Sequence, residues 1–371
     1  MKHAHVLVVG AGVIGCAIAR ELARADTPVT VIDRDEPGRQ ASRAAAGMLS
    51  PFGEAACAGT PFLELSDASL SRYTAFADAL RDETSIDIEY RPAGKLHLST
   101  GVLDGELRAL ATSPEADRFG MRVLDGDAAR ALEPAISSAV TTALLIERDH
   151  SVDNRRLTEA VIAAAKAAGA VFRTGDGVTA LATDSGRVTG VKLASGERIE
   201  AERVVIAAGA WAGEIDGLPR PLPVRPVKGQ MFAVRGDAGV IERVIVGDGC
   251  YIIPRDDGRL LVGATVEDVG FSSGPTPRGI ASLMAAAVAA VPMIADLPLV
   301  ETWAGFRPGT PDGLPIIGAD PSVDGLVYAT GHFRNGILLA PITAECVAAL
   351  VLGDTPPVPL DAFAVGRFGS A

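Results

Sequence analysis

An α/β fold with a second, α+β domain is predicted from three features of the sequence. The first is a hydrophobic run, His5-Val6-Leu7-Val8-Val9, that breaks into Gly10-Ala11-Gly12-Val13-Ile14-Gly15. The second is another apolar strand, Val29-Thr30-Val31-Ile32, closed by the acidic Asp33. The third is a late return of the same pattern: Arg203-Val204-Val205-Ile206-Ala207-Ala208-Gly209 again runs from apolar strand into glycine. Parallel strands that alternate with helices in this way build a Rossmann-like, nucleotide-binding sheet.

Each glycine of the opening turn has its own reason. Gly10 permits the tight turn, Gly12 lets backbone approach a pyrophosphate, and Gly15 allows the following helix to pack closely. The amides of Val13 and Ile14 then open a helix whose N-terminus favours phosphate. Such a pattern also occurs in ordinary turns. Here the second strand gives it context, because a carboxylate at Asp33 can accept hydrogen bonds from an adenosine ribose.

Composition removes several classes of function. The chain has 371 residues, enough for two domains with substantial cores, and a formal net charge of −12, which argues against a nucleic-acid partner. Its most apolar late stretch, 283–300, is interrupted by Pro292, Asp296 and Pro298, so no membrane span is predicted. No signal-peptide pattern follows Val6-Leu7-Val8-Val9, and the cytoplasm is the expected compartment. Cys16, Cys57, Cys250 and Cys346 are too scattered for a zinc site or a redox pair and read as small buried side chains.

In chain order, 38–51 is rich in small residues, suited either to a flat ligand lying against backbone or to an alanine-rich helix stopped by Gly47. The spacing of Leu63, Leu65, Leu70, Tyr73, Phe76 and Leu80 predicts one amphipathic helix over 62–84. A strand is predicted at 94–99, polar helix and connection over 105–132, a helix over 154–168, a strand at 170–172 and a hairpin over 186–199. Strands at 224–234, 251–254 and 260–265 suggest an antiparallel sheet capped by a helix over 280–290. A strand at 326–330 leads into a glycine-flanked turn, 331–337, and then a helix with Pro341 in its first turn. The expected division is discontinuous: 1–50, 148–220 and 301–371 form the nucleotide domain, and 51–147 with 221–300 form the substrate domain.

These motifs together resemble the glycine oxidase branch of the D-amino-acid oxidase family of flavoproteins. The residues that carry the resemblance are Gly10-Ala11-Gly12-Val13-Ile14-Gly15, Ala44-Ala45-Ala46-Gly47-Met48, Pro226-Val227-Lys228-Gly229-Gln230, Tyr251-Ile252-Ile253-Pro254-Arg255, Gly258-Arg259-Leu260-Leu261-Val262-Gly263-Ala264-Thr265, Gly305-Phe306-Arg307-Pro308-Gly309-Thr310 and Gly331-His332-Phe333-Arg334-Asn335-Gly336-Ile337. They run through nearly the whole chain in order. The resemblance implies non-covalent FAD, with Gly10, Gly12, Val13, Ile14 and Gly15 at the pyrophosphate and Asp33 with Arg34 at the adenosine ribose. It places Ala41, Ser42, Ala46, Gly47 and Met48 along the diphosphate and flavin, and Val178 by the adenine. The turn formed by His332, Phe333, Arg334, Asn335, Gly336, Ile337 and Leu338 would offer amides to the pyrimidine edge, where reduced flavin gathers negative charge.

For the reaction, the resemblance assigns Arg307 to a bidentate pair with a substrate carboxylate, Tyr251 to the same carboxylate, and Arg334 to the substrate site. A guanidinium matches a carboxylate better than an ammonium can. The implied chemistry is hydride transfer from a small amino acid to flavin N5, with molecular oxygen as final acceptor and no side-chain base. A homo-oligomer and a place in thiamine biosynthesis are implied as well. The chain departs from the family pattern at Gly249, where the family has histidine, and at Val266, where it has a pocket-lining methionine. The rival readings are a sarcosine oxidase, a membrane-associated D-amino-acid dehydrogenase and a non-catalytic NAD(H)-binding module. Residues 303–318 contain no cysteine that could tether a flavin.

Overall fold

The structure, a computed structural model, describes residues 5–52 and 59–369. Cys57 lies outside the described residues, whereas Cys16, Cys250 and Cys346 are buried and unpaired, as expected.

A six-stranded sheet runs in the order Ile316–Ala319, Leu326–Thr330, Arg203–Ile206, Val6–Val9, Val29–Asp33, Val171–Thr174. All of its neighbours pair in parallel except the edge strand Ile316–Ala319. The opening strand reads as an unbroken apolar run because both of its faces are covered. Val6 and Val8 face a core shared with the helices Val13–Arg24, Asn154–Ala167 and Gly336–Leu352, while Leu7 and Val9 face a three-stranded sheet formed by Val178–Asp184, Arg187–Leu193 and Arg198–Glu200.

The second large sheet has eight strands, in the order Leu299–Gly309, Arg225–Arg235, Arg259–Gly263, Cys250–Pro254, Val244–Gly247, Lys95–Ser99, Thr142–Ile146, Met121–Asp125. It corrects the expected antiparallel sheet in one respect, since Val244–Gly247 and Lys95–Ser99 pair in parallel. The helix Pro277–Ala290 covers one face through Leu283, Ala287 and Ala290. The other face looks towards the nucleotide sheet.

Four sequence expectations are corrected. The predicted helix over 62–84 is two helices, Thr60–Leu70 and Tyr73–Thr84; at the junction the Arg72 N–H shifts to the Ser69 carbonyl and its guanidinium donates to the Ala68 carbonyl. The stretch read as polar connection contains the strand Met121–Asp125. Pro341 lies beyond the first turn of Gly336–Leu352. The Ile337 carbonyl, which a proline cannot serve, accepts the Tyr73 hydroxyl instead. Finally, the expected boundary at 301 falls inside Leu299–Gly309, a strand of the eight-stranded sheet paired with Arg225–Arg235. None of the helices among the described residues is long and apolar enough to cross a membrane.

Candidate active site

A cavity of about 1040 Å³ runs between the two large sheets, at the upper end of the usual range for ligand pockets. Its first wall is the opening turn. Gly10 has φ +110°, and a Cβ there would strike the Ala207 carbonyl, so only glycine fits. Gly12, Val13 and Ile14 line the cavity, and Val13 N–H donates to Ser42 Oγ at 2.9 Å. The helix has no side-chain cap and no acid in its first turn, which leaves amides facing the cavity. Gly15 is not on the wall: a Cβ there would meet the Gly10 carbonyl, so its role is packing.

Asp33 ends the second strand beside this turn. Its carboxylate accepts from the Ala11 amide at 2.6 Å and the Asp35 amide at 2.9 Å. Burial pushes the carboxyl above its ordinary range, and the two amides pull in the opposite direction. Arg34 stacks on Trp211, its guanidinium 3.9 Å from the ring centre. Val178 lines the same end.

The small-residue stretch is a short helix, Ala41–Ala44, followed by extended chain, not the alanine-rich helix weighed from composition. Partners hold its carbonyls one by one. Asn154 Nδ2 donates to Ser42 O at 2.8 Å, Trp303 Nε1 to Ala44 O at 3.0 Å and Arg255 Nη2 to Ala46 O at 2.8 Å. Burial lowers the Arg255 guanidinium to about 10, with Asp153 opposing the shift. Ala41, Ser42, Ala46, Gly47 and Met48 all face the cavity.

On the far side, the residues from His332 to Ile337 line the cavity as they enter the last helix, which also lacks a side-chain cap and a first-turn acid. Leu338 is a correction: it is fully buried in the core and off the cavity wall. His332 bonds Thr343 Oγ1 at 3.1 Å, and burial lowers its pKa to about 3, so it is a neutral structural group.

The substrate end lies on the eight-stranded sheet. Tyr251 and Gly263 are register partners, as are Gly229 and Gly305. A Cβ on Gly263 would come 2.6 Å from the Tyr251 ring and hydroxyl, and one on Gly229 would come 2.6 Å from Arg307 Cζ. Both side chains therefore lie flat over glycines. Arg307 Nη1 donates to Thr265 O at 3.1 Å. Burial pushes the Tyr251 hydroxyl up; Arg307 opposes this by charge and hydrogen bond, and Arg334 by charge. The phenol thus remains a neutral donor beside two guanidinium groups. Trp211, Phe271 and Phe306 pack as an aromatic cluster, with Trp211 and Phe271 stacked at 4.9 Å, and Trp211 carries the Arg34 guanidinium on its ring.

Sequence reasoning missed several lining residues. Trp211 was visible only as the end of an apolar strand. The supporting roles of Gly229 and Gly263 lay in recognised motifs, but only strand register shows what each glycine makes room for. Lys95 and His97 gave only the alternation of a strand.

Two helix starts without N-cap side chains face one long cavity, with an acidic residue at one end and guanidinium groups at the other, an arrangement of the kind found in dinucleotide-binding proteins. The chain belongs to the DAO family of FAD-dependent oxidoreductases, whose model matches residues 5–350. It is 38% identical to the glycine oxidase of Pseudomonas aeruginosa over 95% of each chain. It is also 39% identical to the bifunctional protein ThiO/ThiG of Synechocystis sp., where the match covers 98% of this chain and 54% of that protein; the chain thus spans about half the length of such bifunctional relatives. Among solved structures, the glycine oxidase of Geobacillus kaustophilus superposes with a TM-score of 0.92 at 34% identity, covering 99% of both chains.

FAD is the cofactor of this family, and the cavity fits it. Amides of the first helix suit the diphosphate, Asp33 suits the ribose, and the start of the last helix suits the electron-rich edge of a reduced flavin.

Proposed function

We propose that the protein is an oxidase of glycine and other small amines such as sarcosine and D-alanine. The observation that carries this reading is the flat pair of Arg307 and Tyr251, laid over Gly229 and Gly263 at the far end of a cavity shaped for FAD. Arg307 offers a fork of N–H donors to a carboxylate, Tyr251 adds a neutral O–H, and Arg334 supplies further positive charge. Held in this way, the α-carbon and amine of the substrate are directed into the cavity, and the side chains do the work of orientation. Bound FAD supplies the two-electron acceptor, and oxygen regenerates it, so that glycine, oxygen and water give glyoxylate, ammonia and hydrogen peroxide.

No proton-transferring side chain is needed from this wall. His332 is neutral and turned onto Thr343. The reading includes non-covalent flavin, a cytoplasmic homo-oligomer and the role in thiamine biosynthesis implied by the resemblance.

An oxygen-electrode panel of glycine, sarcosine, D-alanine and D-proline tests it. Oxygen uptake with stoichiometric peroxide is expected for glycine. Uptake with none of them, from protein that carries flavin, would refute the assignment. Flavin retained by acid-precipitated protein would instead indicate a covalent link.

A further inference from the structure

The cavity continues past the carboxylate clamp to donors that the proposed reaction does not use. Strand register places His97, Val246, Tyr251 and Gly263 in one row across the eight-stranded sheet. His97 therefore stands two strands from Tyr251, about 10 Å at the usual spacing. Lys95 precedes it on the same face of the strand, and both residues line the cavity. Val246 stands between His97 and Tyr251 in the row and lines the same cavity, as does Gly249 in the turn that follows its strand.

The two side chains have donors to spare. Lys95 is 7% exposed; its ammonium donates to Ser50 Oγ at 2.7 Å and pairs with Asp149, to which Ser50 also donates. An ammonium has three N–H groups, so one is left over. His97 has no hydrogen-bond partner among the described residues. Burial and the neighbouring Lys95 charge lower its pKa to about 4, so at neutral pH the ring is uncharged and keeps one N–H. One spare N–H on the buried Lys95 and one on the half-buried His97 ring, both on the cavity wall, suit an acceptor-rich guest.

We propose that Lys95 and His97 form a second anion subsite that takes the distal carboxylate of an extended substrate whose amino-acid end is held by Arg307 and Tyr251. The inference rests on the carboxylate clamp proposed above. The guest is an amino acid or N-substituted glycine with an anionic tail.

The test uses holoenzyme and ligands that cannot be oxidised, read by perturbation of flavin absorbance. Matched pairs are compared: butyrate with succinate, hexanoate with adipate, octanoate with suberate. At one length the dicarboxylate is expected to bind at least about tenfold tighter than its monocarboxylate partner, the scale of one charge-assisted contact. His97→Phe should bring that ratio close to one, and His97→Gln should keep most of it. Arg307→Ala should weaken both members of the pair together. A ratio within twofold at every length overturns the proposal, as does a preference that survives His97→Phe and Lys95→Met. Peroxide release from glycine on the same preparation separates the two claims. A dicarboxylate preference without peroxide upholds the subsite and sinks the oxidase reading; peroxide without the preference does the reverse.

Discussion

At the nucleotide end of the cavity the groups on offer are backbone amides, whereas at the substrate end they are side chains laid across a sheet. Val13 and Ile14 open an uncapped helix, and Gly10 tolerates no Cβ because the neighbouring strand's carbonyl is there. At the other end Arg307, Tyr251, Lys95 and His97 come from three separate strands, and register alone brings them together. Sites built from backbone are tied to a local turn and fail by losing conformation. Sites built from side chains fail one contact at a time.

The largest expected effect is at the substrate end. Arg307→Ala should lower kcat/KM for glycine by on the order of 10²-fold, from the about 2–4 kcal/mol lost when a buried charge pair is truncated. Flavin content should stay near one per chain, and a loss of flavin in this variant would break the division between the ends.

Gly10→Ala tests the opposite end. It combines a strained φ with contact against the Ala207 carbonyl. The expected cost is about 1–3 kcal/mol or more, seen as lower flavin occupancy and a lower Tm.

Gly263→Ala is the sharper probe, since it touches neither ligand. It should displace the Tyr251 ring and raise KM by roughly tenfold, while flavin occupancy is retained. Tyr251→Phe should do less, about 1 kcal/mol in kcat/KM, because only the hydroxyl is lost.

Acidification acts at both ends in the same direction. Burial lowers His332 to about 3 and His97 to about 4 from an ordinary 6.5. Below pH 6.5 the unfolded chain binds protons that the folded chain refuses, so these groups make stability fall as pH drops through that window and rise with pH within it. The measurable result is a Tm that declines on acidification, with a shallower slope in His332→Asn.

The contrast also explains what the sequence made legible. Gly10, Gly12, Gly15 and Asp33 stand close together in the chain, each required by local geometry, so the nucleotide end could be read from order and spacing alone. The same holds for the last strand, Leu326–Thr330, and the glycine turn after it. Arg307 and Tyr251 are found only through the family resemblance, since no local pattern separates either from an ordinary strand residue. Their supports, Gly229 and Gly263, act through non-local pairing that no local pattern encodes. Several strands are not legible in the local pattern, among them Met121–Asp125, Thr142–Ile146, Val178–Asp184, Val244–Gly247 and Leu299–Gly309. Likewise, the division of 62–84 into two helices lies in a local shift of hydrogen bonding at Arg72, which helical periodicity does not register.

The most direct measurement is anaerobic addition of glycine to the purified flavoprotein while the flavin absorbance is followed. The oxidised band should bleach in the wild-type protein and remain in Arg307→Ala at the same glycine concentration. Wild-type flavin that stays oxidised with glycine, sarcosine and D-alanine alike would contradict the assignment of this cavity to amine oxidation.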